Sequence, residues 1–355
     1  MPRIPPAAPA VASSLPDSNH PDSKQNAGPK PGPRGLYAIG DGPSPFGPNT
    51  GGRVRVHHLR EMKAQGHRIS AVTCYDATFA RLVDGAGLEF VLVGDSLGNV
   101  IQGQDTTLPV TVDHIVYHTA AVARGLTRAH LVGDLPFLSY RNVDMALHNA
   151  GRLLAEGSAH AVKLEGGAEV APIVTALVQA GIPVMGHIGL TPQSIHAMGG
   201  HRIQGRGRAA RERLLHAARA LEEAGCYALV LEGIPAALAA EITAALEIPT
   251  IGIGAGAGCD GQILVLYDLL GLNPSFKPKF LKRFAELGQA VGDALADYRA
   301  EVQAGTFPTA EHAYGDPTLA YGGEVAQASA FPQVSEFALA AAAGQDFAAA
   351  KVKTP

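Results

Sequence analysis

Six ionisable side chains recur in one kind of place along this sequence. Asp95, with Ser96 behind it, follows the apolar run at 90–94. Asp134 ends HLVGD, Lys163 and Glu165 sit in AVKLE, His187 ends IPVMGH, and Glu232 ends ALVLE. Each run is short and nearly all apolar, the pattern of a strand buried on both faces. One charged residue at a strand end is ordinarily a helix cap or a solvated edge. Four carboxylates, a lysine and a histidine at the ends of five successive runs are hard to ascribe to chance.

Carboxylates gathered at one mouth repel each other unless a cation or a proton intervenes. A hard divalent ion resolves the conflict. Mg2+ takes oxygen ligands, accepts a few carboxylates and keeps water or substrate oxygens in its remaining positions. Zn2+ would more often recruit His and Cys, and only His187 is at hand. A Mg2+ held by Asp95 and Asp134, with Glu165 on the ion or bonded to its ligands, would chelate a 2-oxo acid and stabilise its enolate. Removing the proton beside the carbonyl needs a base on a separate strand, in apolar surroundings that raise its pKa. Glu232, after Ala-Leu-Val-Leu, fits best. Lys163 is suited to the substrate carboxylate or the enolate oxygen. Two apart in a strand, Lys163 and Glu165 share a face. His187 is read either as a packed histidine or as a substrate contact.

These groups need strands to hold them. Strand-like runs are expected at 69–74, 90–94, 130–134, 161–165, 182–187, 228–232, 248–254 and 262–266. Between most of them lie stretches with helical spacing, among them 112–125, 211–225 and 236–247. Eight strands over this length predict a (β/α)8 TIM barrel, whose active site lies at the carboxyl ends of the strands. The weak link is between strands seven and eight, where GAGCDG is too short for a standard helix. An open doubly wound sheet is the alternative fold. IGIGAGAGCDG loosely resembles a phosphate cradle, but a strand-like run follows it rather than a helix, which favours a tight loop. Thr191-Pro192 reads as an N-cap and first helical residue. The glycine-rich segment 198–208 carries Arg202, Arg206 and Arg208. It is read as a solvated loop or as a mobile cover over an anionic substrate.

A net charge of −4 points away from nucleic acid and from an anionic membrane surface, and no apolar run is long enough to span a bilayer. Cys74, Cys226 and Cys259 show no metal or redox spacing and read as buried thiols in a reducing, cytoplasmic setting. About half of the 25 prolines fall in the first fifty residues. Residues 1–52 are therefore expected to be a disordered Pro/Gly-rich tail without a secretory apolar core. The catalytic barrel is expected over 53–312. Residues 313–355 are expected to be an Ala-rich, flexible C-terminal extension, in which ALAAAAG and FAAAK suggest a loose helix.

The motifs resemble those of the ketopantoate hydroxymethyltransferase family. They are VTCYDATFA, VGDSLGNVIQGQDTTLPVTVDHIVYHTAAV, GDLPF, VKLEGG, GHIGLTPQS, GGHRIQGRG, LVLEGIP and IGIGAGAGCDGQILVLYDLLGL, in order from about residue 55 to 312. The resemblance implies a TIM barrel, one bound Mg2+ per subunit, and transfer of a one-carbon unit from 5,10-methylenetetrahydrofolate to 3-methyl-2-oxobutanoate. It places the metal on Asp95, Asp134 and Glu165, the oxo acid on Asp95, Ser96, Asp134 and Lys163, and the proton acceptor at Glu232. It also implies a homo-oligomer, a decamer in many members. On the residues alone, a Mg2+-dependent oxo-acid lyase of the phosphoenolpyruvate mutase and isocitrate lyase type also fits, with a non-catalytic oxo-acid binder behind it.

Overall fold

The computed structural model describes residues 52–314, which fall into two units divided at Glu286. In the first, eight strands pair in sequence order and close on themselves: β1 Ile69–Thr73, β2 Phe90–Val93, β3 His130–Asp134, β4 Ala161–Glu165, β5 Val184–Gly189, β6 Ala228–Glu232, β7 Thr250–Ile253 and β8 Gly261–Leu264. Every pairing is parallel, including β1 with β8. This is the expected TIM barrel. The second unit holds the helix Leu287–Ala304, which buries none of its residues, and the turn Ala310–His312. The two tails, including the loose helix suggested near the C-terminus, lie outside the described residues.

The strands alternate between two apolar layers, as the pleat requires. Phe90, Leu92, Val132, Ala161, Met185, Ala228 and Val230 belong to the cluster inside the barrel. Their neighbours Val91, Val93, Leu131, Val162, Leu164, Val184, Leu229 and Leu231 pack outward, in the layer shared with the helices. Burying a side chain such as Phe90 or Leu164 contributes about 1.5–3 kcal/mol. The same parity aims the chemistry. Asp134 stands two residues beyond Val132, Lys163 two beyond Ala161, His187 two beyond Met185 and Glu232 two beyond Val230, so each faces inward near the carboxyl end of its strand.

The surrounding helices begin where short polar side chains cap them. Asp76 accepts from the amides of Thr78 and Phe79 ahead of Ala77–Gly85, Thr111 from His114 ahead of Val112–Ala123, and Asn142 from Met145 ahead of Val143–Ala155. The stretches 211–225 and 236–247 form the helices Arg208–Glu223 and Ala236–Ala245. No helix separates β7 from β8, so the short connection is a tight glycine-rich loop. Two glycines permit close approach at the barrel wall. A Cβ on Gly261 would lie 2.5 Å from the Ile69 carbonyl oxygen at the closing seam, and one on Gly189 would lie 2.2 Å from the Glu232 carbonyl oxygen. Among the described residues no helix is long and apolar enough to cross a membrane.

Candidate active site

At the carboxyl end of the barrel, Asp95, Asp134, Lys163, Glu165 and His187 are all buried. The Lys163 ammonium is central, with Nζ 2.8 Å from Asp134 Oδ1, 3.8 Å from Glu165 Oε1 and 3.4 Å from His187 Nδ1. Burial works against the lysine's charge, but Asp134, Glu165 and Asp95 outweigh it and raise its pKa. Asp95 follows β2 rather than lying in it. Its backbone N–H points at Asp134 Oδ2, 3.4 Å away. Ser96 precedes the short helix Leu97–Val100, and its hydroxyl lies 2.7 Å from the buried Tyr75 hydroxyl.

His187 is both packed and engaged. Nδ1 lies 3.3 Å from Glu165 Oε1, and Nε2 lies 3.3 Å from Glu232 Oε2. Burial and Lys163 oppose a charge on the ring, but the two carboxylates prevail and push its pKa up to about 9. Glu232 is the more open end of this chain of contacts, its side chain 22% exposed where that of Glu165 is 3% exposed. A proton acceptor that must meet a substrate needs such access.

The sequence reading missed Gln193 and Tyr140. Gln193, buried in the turn after β5, donates Nε2 to Asp95 Oδ2 at 3.1 Å and to the Leu135 carbonyl at 3.0 Å. Its backbone N–H donates to Glu165 Oε2 at 3.1 Å. The Tyr140 hydroxyl lies 2.7 Å from Gln193 Oε1 and 3.0 Å from the Glu165 carbonyl. The only signal was a polar residue in GLTPQS. Thr191 and Pro192 take the expected cap and first positions, but of the short 3-10 turn Pro192–Ser194, and the Thr191 hydroxyl forms no cap.

Three buried carboxylates share the Lys163 ammonium and the His187 ring. Burial, Asp134 and Glu165 raise the Asp95 pKa well above the usual carboxylate range, and burial raises that of Asp134 despite Lys163. Glu165 runs the other way: bonds to His187 and the charge of Lys163 overcome burial and lower its pKa. Among the described residues no group of three or more His, Cys, Asp or Glu side chains is arranged to hold a metal ion as it stands. The Lys163 ammonium lies among the carboxylates instead. The donors are nonetheless hard carboxylate oxygens, which is the chemistry of a Mg2+ site and not of a soft-metal site.

The remaining features agree with their plainer readings. The three cysteines are buried, and burial raises Cys74 to about 11 and Cys226 to about 12, so neither is a thiolate nucleophile. Arg202, Arg206 and Arg208 are exposed, and Arg208 pairs with Glu212 at 2.8 Å. Their loop is fastened to the end of β6 by the Gln204 backbone N–H, which donates to the Gly233 carbonyl at 2.9 Å.

Residues 53–310 match the family model described as Ketopantoate hydroxymethyltransferase. The chain is similar to the 3-methyl-2-oxobutanoate hydroxymethyltransferase of Anaeromyxobacter sp. (strain Fw109-5), 56% identical over 75% of this chain and 89% of that protein. It is similar to the enzyme of that name from Desulforapulum autotrophicum, 55% identical over 74% of this chain and 98% of that protein. Among solved structures, phosphonopyruvate hydrolase superposes with a TM-score of 0.50 at 13% identity, covering 75% of this chain and 92% of that one. That likeness concerns the fold alone. The family match spans the whole barrel, and by it the chain belongs to the ketopantoate hydroxymethyltransferase family.

Proposed function

We propose that this barrel transfers a hydroxymethyl group from 5,10-methylenetetrahydrofolate to 3-methyl-2-oxobutanoate, giving 2-dehydropantoate on the route to pantothenate and coenzyme A. The observation that carries this reading is the adjacency of a partly open carboxylate, Glu232, to a buried cluster of carboxylates and lysine, linked through His187 at 3.3 Å. Its relatives' shared name supplies the substrate.

Asp95, Asp134 and Glu165 would hold a Mg2+, which when bound supplies Lewis acidity toward the oxo acid. Lys163 pairs with the negative oxygens of the oxo acid, and Ser96 offers its hydroxyl beside Asp95. Glu232 accepts the proton from C3. His187 holds the Glu232 carboxylate in place. The enolate carbon then attacks the one-carbon unit, opened to an iminium or released as formaldehyde. Water supplies the new hydroxyl, the old C–N bonds break, and tetrahydrofolate departs. A homo-oligomer of decamer type, working in the cytoplasm, completes the proposal.

A turnover assay with both substrates, with and without Mg2+, tests it. Product should form only when both substrates and the ion are present, and Asp95→Ala combined with Asp134→Ala should abolish turnover and its Mg2+ dependence together. Full activity after exhaustive chelation would refute the metal role. Cleavage of the oxo acid without any need for folate would place the enzyme among the lyases instead.

A further inference from the structure

One segment of the first unit has an unusual surface. Residues 276–284 read FKPKFLKRF, and there is no acidic residue between Asp268 and Glu286. Lys277, Lys279 and Lys282 are exposed, in a chain whose net charge is −4. Phe276, Phe280 and Phe284 are exposed too, at 43%, 47% and 64%. Large aromatic rings held in water beside cations are costly to display without a ligand to cover them.

The segment is fixed in place. Arg283 Nη2 donates to the carbonyls of Asn273, Pro274 and Phe276 at 2.8–3.0 Å, and the Phe284 amide donates to the Leu269 carbonyl at 2.9 Å. Lys282 Nζ already covers the Phe284 ring, 4.7 Å from its centroid. The Phe280 ring instead leans on Gly254, where a Cβ would lie 3.4 Å from it. Gly254 directly follows Ile253, the register partner of Glu232, and the Gly233 amide donates to the Ile253 carbonyl at 2.9 Å. An exposed phenyl ring therefore stands against the loop that follows β7, next to the strand that carries Glu232, and three exposed lysines share its segment.

We infer that this rim segment is the docking site of the one-carbon donor, a planar pterin and aminobenzoyl system carrying a carboxylate tail. The inference rests on the function proposed above. An aromatic ring of the donor stacks against Phe280, as flat heteroaromatic systems do on phenyl faces. The glutamate carboxylates of the tail meet Lys277, Lys279 and Lys282, and the local positive potential steers this anion to the mouth. The glycine-rich loop 254–258 offers the stacked ring a wall with few side chains. The oxo acid keeps its proposed place at Lys163, apart from this segment.

Phe280→Ala and the double variant Lys277→Glu, Lys279→Glu test this in the full chain. Calorimetry with tetrahydrofolate and its triglutamate gives Kd; steady-state assays give KM. Phe280→Ala should weaken both folates by roughly three- to tenfold, while Phe280→Tyr restores binding. The lysine variant should remove the advantage of the triglutamate and the salt dependence of its binding. Deuterium exchange at C3 of the oxo acid, measured without folate, should be unchanged in all three. Unaltered folate affinity in both the Phe280→Ala and lysine variants would overturn the site. So would parallel loss of exchange, which would make the segment structural, or a changed oligomeric state, which would make it a contact between copies. A wild-type protein that exchanges the oxo acid but never uses folate would sink the proposed function first, and this inference with it.

Discussion

Gln193 bonds two of the site's carboxylates at once, with its side-chain amide 3.1 Å from Asp95 Oδ2 and its backbone amide 3.1 Å from Glu165 Oε2. Its remaining capacity goes to the Leu135 carbonyl and to Tyr140, so the amide cannot rotate without leaving a buried group unpaired. It is a positioning residue. Gln193→Leu should fold, at a cost of about 1–3 kcal/mol, and should weaken Mn2+ binding by about 10–100-fold. Electron paramagnetic resonance of free Mn2+ measures the affinity directly, and an unchanged affinity would remove Gln193 from this role.

Glu232 is separable from the carboxylates proposed to hold the metal, because its side chain makes its polar contact with His187. Glu232→Gln keeps the shape and loses the proposed proton acceptor. Deuterium exchange at C3 of 3-methyl-2-oxobutanoate should fall by at least about 100-fold, with Mn2+ affinity within a factor of about two of wild type. Exchange at the wild-type rate would mean that another group takes the proton.

The barrel and most of this site were legible in the sequence because both follow from a period of two. Once Val132, Met185 and Val230 are assigned inward, Asp134, His187 and Glu232 must face the same way. Gln193 was not legible. It lies in a 3-10 turn whose orientation depends on where β5 stops and on tertiary partners just beyond the ends of β2 and β3, Asp95 and Leu135. The rim segment 276–284 was hidden for a related reason: its phenylalanines recur every fourth residue, a helical spacing, yet the segment with Pro278 in it forms no helix, and its meaning comes from lying against Gly254. The place of Lys163 among the carboxylates was likewise a matter of three-dimensional distance.

Lys163 neutralises part of a buried acidic cluster, so its removal should be felt in folding as well as in catalysis. Lys163→Met leaves Asp134 without its 2.8 Å partner and should destabilise the barrel by about 3–5 kcal/mol. A cation that binds the same carboxylates offsets that loss. Added Mg2+ should therefore raise the urea midpoint of Lys163→Met more than that of the wild type. An equal shift in both proteins would argue that the carboxylates do not share an ion.

The opposite end of the barrel sets an acid limit on stability. His130 begins β3, is buried, and has Nε2 3.2 Å from the Tyr227 hydroxyl. Burial, with the nearby charge of His160, lowers its pKa to about 3, despite an opposing contribution from the Val54 backbone. Burial and the charges of Arg53 and Arg55 lower His160 as well. In the unfolded chain a histidine titrates near 6.5. Between about pH 6.5 and 3 the unfolded state therefore binds a proton that folded His130 refuses, and stability falls as the pH drops through that window. Each such residue contributes a slope of up to about 1.4 kcal/mol per pH unit. His130→Leu removes one of them. Its unfolding free energy, measured by urea titration from pH 7 to pH 4.5, should decline less steeply than that of the wild type by about that amount. Parallel declines would show that His130 is charged in the folded barrel.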